Sequence, residues 1–138
     1  MGDVKYLLDA DWVIDFLAGR PVAVSLVASL APAGIAISTI TLMEVMHGVS
    51  GSRDVAAADR TLRRFLAVTP VLDFTGTTAE RGAIIRIELR RNKRQIHERA
   101  LDILVAATAI EHNLLLVSRN LHHFGDISGL HLYRDPST

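Results

Sequence analysis

The chain contains no cysteine, which excludes disulfides, thiolate-bound zinc and iron–sulfur clusters, so any metal must rest on oxygen or imidazole ligands. Neither sign of charge prevails. Fifteen Lys and Arg balance fifteen Asp and Glu, so the molecule as a whole is no electrostatic magnet for a polyanion. Aromatic residues are scarce, at 5%, and no apolar run approaches the ~20 residues that span a bilayer. The opening Met1-Gly2-Asp3-Val4-Lys5 lacks the basic, apolar and small-residue succession of a signal peptide, which leaves a cytoplasmic protein as the expectation.

Aliphatic residues supply what the chain does have, with 49% of it hydrophobic. At 138 residues it fits one domain, 1–138, long enough to bury about two-thirds of its unfolded surface. The apolar pattern alternates between short runs and helical spacings. Val4 to Leu8 reads as a buried strand that stops at Asp9, followed by a helix with Asp11 as its cap and a second helix over Pro21 to Leu30. Ile35 to Ser38 is a second strand. Thr41 opens the next helix, Gly48 to Ser52 interrupts it, and Asp54 to Val68 is amphipathic with Leu62, Phe65 and Leu66 inward.

Pro70 to Asp73 is a third strand candidate, and Thr77 with Glu80 three positions on predicts a capping box for a helix reaching Arg91. Ala100 to Glu111 reads as a buried helix, Asn113 as a left-handed stop, and Leu114 to Val117 as the clearest strand, with a last short one at Leu130 to Tyr133. Strands separated by helices predict an α/β domain with a parallel central sheet flanked by helices on both faces.

In such sheets the working site lies outside the carboxyl ends of the strands. That rule selects Asp9 after the first strand, Glu44 in the first turn of the helix after the second, Asp102 at the head of the buried helix, and Asn120 after the Leu114 strand. Each has a plainer reading: Asp9 as a strand end, Glu44 as the partner of Thr41 in a capping box, and Asn120 as a turn residue. Asp102 is harder to dismiss, because Ile103 to Ala107 are apolar and a carboxylate at their head needs a partner or an ion. Two carboxylates ~4 Å apart repel by about 4 kcal/mol at an effective dielectric near 20. A divalent cation removes that penalty, and oxygen-rich ligation suits Mg²⁺ or Mn²⁺ and metal-assisted phosphodiester hydrolysis.

Seven of the fifteen basic residues fall between Arg81 and Arg99. Among them Arg90, Arg91, Lys93 and Arg94 are nearly contiguous and form a candidate RNA-contacting stripe. A solvated helix face is the plainer alternative.

Four segments carry a family resemblance: Tyr6 to Ile14, Ser38 to Gly48, Ala100 to Ala109, and Leu116 to Asn120 with Phe124 and Ile127 to Leu130. Together they resemble the PIN-domain family, specifically its VapC-like toxins. The resemblance implies a PIN fold, Mg²⁺- or Mn²⁺-dependent RNA cleavage and a VapB-like antitoxin that neutralises it. It also implies a homodimer, assembled further with antitoxin. By position Asp9, Glu44 and Asp102 match the family's acidic metal ligands, and Asn120 joins them as the fourth catalytic position. There the chain departs from the pattern: family members commonly carry aspartate where Asn120 stands, and often another where His123 stands. Asp126 is a weak substitute.

Three alternatives remain open at this point. A haloacid-dehalogenase-like phosphatase is similar in placing Asp9-Ala10-Asp11 after a first strand and Ser38 after a second, but the chain lacks a cap domain and a well-placed lysine. A non-catalytic PIN-like module would bind RNA or protein without cutting. A zinc site from His112, His122, His123 and His131 lacks recognisable ligand spacing.

Overall fold

The computed structural model describes residues 3–135. Strand β1 (Tyr6–Leu8) is buried throughout and passes through Asp9 directly into helix α1 (Ala10–Leu17). Because no loop intervenes, Asp9 is the cap: its carboxylate accepts from the Ala10 N–H at 2.9 Å. Asp11, expected as the cap, instead lies exposed in the first turn.

Helix α2 (Pro21–Leu30) starts on a proline, which needs no N–H there and has φ already set. A 3-10 turn at Ala31–Ala33 then delivers the chain to Gly34, at φ +96°. Its carbonyl accepts from the N–H groups of Lys5 and Tyr6 at 2.9 and 3.0 Å. A β-carbon at this glycine would collide with the Asp3 carbonyl, so the residue type is set both by the left-handed backbone and by the close approach.

Strand β2 (Ile35–Ser38) leads into α3 (Thr39–Ser50). Ser38 caps this helix by accepting from the Thr41 N–H at 3.0 Å. The helix therefore begins two residues before the expected Thr41, and Glu44 sits beyond its first turn and outside any capping box. Helix α4 (Val55–Val68), capped by Asp54, turns Leu62 and Phe65 fully inward and Leu66 partly so. Strand β3 (Val71–Leu72) precedes α5 (Gly76–Arg91), whose capping box joins Thr75 and Thr78, not Thr77 and Glu80. Glu111 supplies the reason: its carboxylate accepts from the Thr78 hydroxyl at 2.5 Å, which fixes the start of α5 at Thr75.

A 3-10 turn (His97–Arg99) runs into α6 (Ala100–Glu111), which Asn113 ends at φ +54° before β4 (Leu115–Val117). Another 3-10 turn (Leu121–His123) and β5 (His131–Leu132) follow.

The strand order is β3-β2-β1-β4-β5, and each of these neighbours pairs in parallel. The first strand is thus the central one. Leu7, Leu116, Ile103, Ala106 and Leu89 build a core on one face, joining the sheet to α5 and α6. Leu8, Val117, Val13, Val27 and Phe65 build the other, against α1, α2 and α4. On the first face small residues permit close helix contact: a β-carbon at Gly82 of α5 would lie 3.9 Å from that of Ala107 on α6. No described helix alone is long and apolar enough to cross a membrane.

Candidate active site at the carboxyl edge of the sheet

Every strand points its carboxyl end to the same side, and the functional candidates follow from that polarity. Asp9 ends β1 and is buried, at 7% exposure. Besides the Ala10 N–H, it accepts from the Ser118 hydroxyl at 2.8 Å. Ser118 ends the neighbouring β4 and is itself buried; its oxygen also accepts from the Asn120 N–H at 3.1 Å. One hydroxyl thereby ties the loop after β4 to the first carboxylate.

Asp102 comes from α6, which precedes β4 and returns through the tight turn at Asn113, so its first turn lies at the same edge. Its carboxylate is 3.0 Å from Nδ1 of His123. With the carboxylate ionised, the Nδ1–H form of the ring donates to it. Arg99 holds this arrangement from below. Its guanidinium donates at 3.1 Å to the His123 carbonyl and at 2.7 Å to Asp126, and twice to the Gln95 carbonyl. Asp126 is thereby committed to an ion pair.

Glu44 lies on α3, which leaves the carboxyl end of β2. Burial pushes the Asp9 carboxyl above its ordinary range; the bonds from Ala10 and Ser118 pull it down, and the charges of Asp102 and Asp11 push it up again. Burial likewise raises the half-buried Glu44, with Asp9, Asp102 and Asp11 adding to the rise. Asp9, Glu44 and Asp102 therefore feel one another across the mouth of the fold. They do not close on a single point: among the described residues no three His, Asp or Glu side chains converge tightly enough to form a ready-made chelate. The three side chains offer hard oxygens, the donor type that a hard divalent cation takes.

The four histidines considered for zinc are not assembled into a site among the described residues. His123 is engaged by Asp102, His122 stacks edge-on against it, and His112 lies beside Glu111.

Arg90 and Arg91 end α5 and Lys93 and Arg94 follow in the turn after it, all four exposed, with Lys93 at φ +57°. Among the described residues none of the four forms an ion pair. Arg90, Lys93 and Arg94 line a shallow depression of about 550 Å³ with Gln95 to Glu98, the segment that leads to α6 and Asp102. Arg86, Arg90 and Arg91 border a second, mostly apolar depression with Ala83 and Ile87.

Sequence reasoning missed the groups that hold the carboxylates: Ser118 on Asp9, Arg99 on Asp126, and the bonding of His123 to Asp102. It also missed Arg119, which pairs with Asp15 and lies over the Trp12 ring at 4.1 Å. Only residue type could have hinted at them.

Comparison with known proteins gives concordant results. The model of the PIN domain matches residues 6–130. The chain is 28% identical over 127 residues to the tRNA(fMet)-specific endonuclease VapC of Shigella flexneri, covering 92% of this chain and 95% of that one. Among solved structures it is similar to VapBC2 from Rickettsia felis bound to a DNA fragment from their promoter, with a TM-score of 0.82 and 28% identity over 94% of this chain and 98% of the other. A toxin–antitoxin complex from Klebsiella pneumoniae gives a TM-score of 0.71 at 32% identity, over 91% and 95% of the two chains.

Proposed function

The chain belongs to the PIN-domain family, and from that premise we propose that it is the toxin endoribonuclease of a toxin–antitoxin pair, cleaving RNA phosphodiesters with Mg²⁺ or Mn²⁺. The observation that carries the chemistry is the buried Asp9, raised by desolvation and by the charges of Asp102, which comes from far along the chain, and of the nearby Asp11. Such a set is costly as it stands and becomes favourable around a cation.

Asp9, Glu44 and Asp102 are the residues that would hold the ion, with Asn120 as a neutral fourth group. When bound, the ion supplies Lewis-acid stabilisation of charge on the phosphodiester and makes water a better nucleophile at neutral pH. The chain's own residues do the positioning. Ser118 and the Ala10 N–H aim the two oxygens of Asp9 in fixed directions. His123 orients Asp102, and Arg99 holds the loop that carries His123. The unpaired cations at the end of α5 are suited to the phosphates of an RNA entering beside Asp102.

An antitoxin of the VapB kind is the inhibitor that the relatives suggest. A narrow groove of about 130 Å³ between α1, α3 and α4, lined by Ile14, Leu17, Ala18, Val45, Gly48 and Val49, suits an apolar segment of such a partner. Exposed Ile84 and Ile87 on α5 suit a second copy of the chain, and the cytoplasm is the compartment in which RNA and antitoxin would be met.

The test is incubation of purified protein with structured and single-stranded RNAs, with and without Mg²⁺, beside Asp102→Asn. Cleavage that needs Mg²⁺ and disappears in the variant is expected. Metal-independent cleavage, or full activity of Asp102→Asn, would overturn the proposal. RNA binding without cleavage under all conditions would favour the non-catalytic module.

A further inference from the structure

We propose that Trp12 and Arg119 form a stacking platform for an unpaired RNA base beside the scissile phosphate, a recognition element separate from the acidic site. The proposal rests on the nuclease reading above. Its starting point is a juxtaposition that cleavage chemistry does not require: the Arg119 guanidinium carbon lies 4.1 Å from the centroid of the Trp12 ring. Asp15 ion-pairs with the same guanidinium and also receives Arg20 at 3.3 Å.

Arg119 is 40% exposed in its side chain, but its charge is offset by Asp15, so it is a poor free counter-charge for phosphate. What it offers instead is a flat surface of fixed orientation. Guanidinium planes and indole rings are the two surfaces on which proteins stack splayed RNA bases. Beside the indole a groove of about 570 Å³ is lined by Trp12, Leu26 and Tyr133, with Ser25, Ser29 and Asp135 as polar groups at its wall. Tyr133 is itself held edge-on to Tyr6 at 5.7 Å.

Position in the chain makes RNA the occupant. Trp12 stands three residues after Asp9, and Arg119 follows Ser118, whose hydroxyl holds Asp9. A nucleotide whose phosphate lies at the acidic edge has its own base, or its neighbour's, within reach of these surfaces. A protein segment that covered the indole would bury it without any dependence on RNA bases, so the two occupants are told apart by the base dependence of binding.

Trp12 is the single tryptophan of the chain, so its emission reports the platform directly. The experiment adds short single-stranded oligoribonucleotides to the full chain in EDTA, in a series with one abasic position each. Binding should quench the emission. Removing one particular base, with every phosphate retained, should weaken affinity by roughly 5- to 100-fold, the range that stacking one base is worth. Arg119→Lys, which keeps charge but loses the plane, should produce a similar loss without changing the salt dependence. Equal affinity across the abasic series would overturn the proposal without recourse to any variant. So would unchanged emission on RNA binding while cleavage with Mg²⁺ persists, an outcome that assigns this face to a protein contact. Base-dependent quenching without cleavage would uphold the platform and remove the nuclease reading.

Discussion

Ser118 donates its hydroxyl to Asp9 at 2.8 Å across 109 positions of sequence. The bond joins the ends of two adjacent parallel strands, and it lowers the Asp9 carboxyl against the rise that burial imposes. Ser118 is thus a positioning residue for the carboxylate at the centre of the site.

Ser118→Ala should leave the fold intact and raise the Mg²⁺ concentration needed for half-maximal cleavage by about 10- to 100-fold, the usual effect of removing a group that orients a ligand. Metal titration of cleavage measures it. An unchanged half-saturation point would assign the bond to loop anchoring alone.

The raised carboxyls have a consequence for stability. Asp9 and Glu44 both sit above their ordinary values in the folded chain, so between the two values the folded state binds more protons than the unfolded one. Stability of the metal-free protein therefore falls as pH rises through that interval. The unfavourable contribution is absent below the ordinary carboxylate range and complete above the raised values. Thermal unfolding in EDTA should show Asp9→Asn gaining more over the parent protein at neutral than at mildly acidic pH. Added Mg²⁺ should raise the melting temperature of the parent at neutral pH and do little in mild acid. A stabilisation by Asp9→Asn that is independent of pH would rule out the buried charge as its cause.

Charge reversal at Arg90 and Arg94 should weaken RNA binding at low salt. It should also flatten the plot of log K against log salt, by about 0.7 for each single-strand phosphate no longer neutralised. An unchanged slope would return the end of α5 to solvent or to a protein contact.

Ile14 lines the groove between α1 and α3, where a β-carbon at Gly48 would lie 3.5 Å from its side chain. Ile14→Arg should fill that groove with charge and weaken capture of the cognate antitoxin at least tenfold, while RNA cleavage by the free protein continues. Binding measured by calorimetry, alongside the cleavage assay, separates the two effects. Antitoxin affinity equal to that of the parent would place the partner elsewhere.

Elements with their own local signals were legible in the sequence to the residue. Pro21 opens the helix that ends at Leu30, the left-handed Asn113 closes off the one from Ala100 to Glu111, and Ile35 to Ser38 is an apolar run after Gly34. The caps were misread wherever two residues of equal chemistry compete. Asp9 prevails over Asp11 because the strand leads straight into the helix. Thr75 prevails over Thr77 because Glu111, from another helix, reaches Thr78. At the site, position after a strand was enough to nominate Asp9, Glu44 and Asn120, and a carboxylate at the head of an apolar helix was enough to nominate Asp102. Nothing local could reveal Ser118 on Asp9, or Arg99 on Asp126, because each pair forms only when distant loops meet.

The order of the strands sets how late in synthesis the middle of the sheet can close. Leu8 pairs with Val117, so the middle strand, although among the first residues made, lacks its partner on one side until most of the chain has been translated. A chain released early carries Asp9 with β2 on one side of its strand and nothing on the other, and gains Asp102 only after about three-quarters of the sequence has been made. A chain that stops short of β4 therefore lacks both the strand beside β1 and the hydroxyl that holds Asp9.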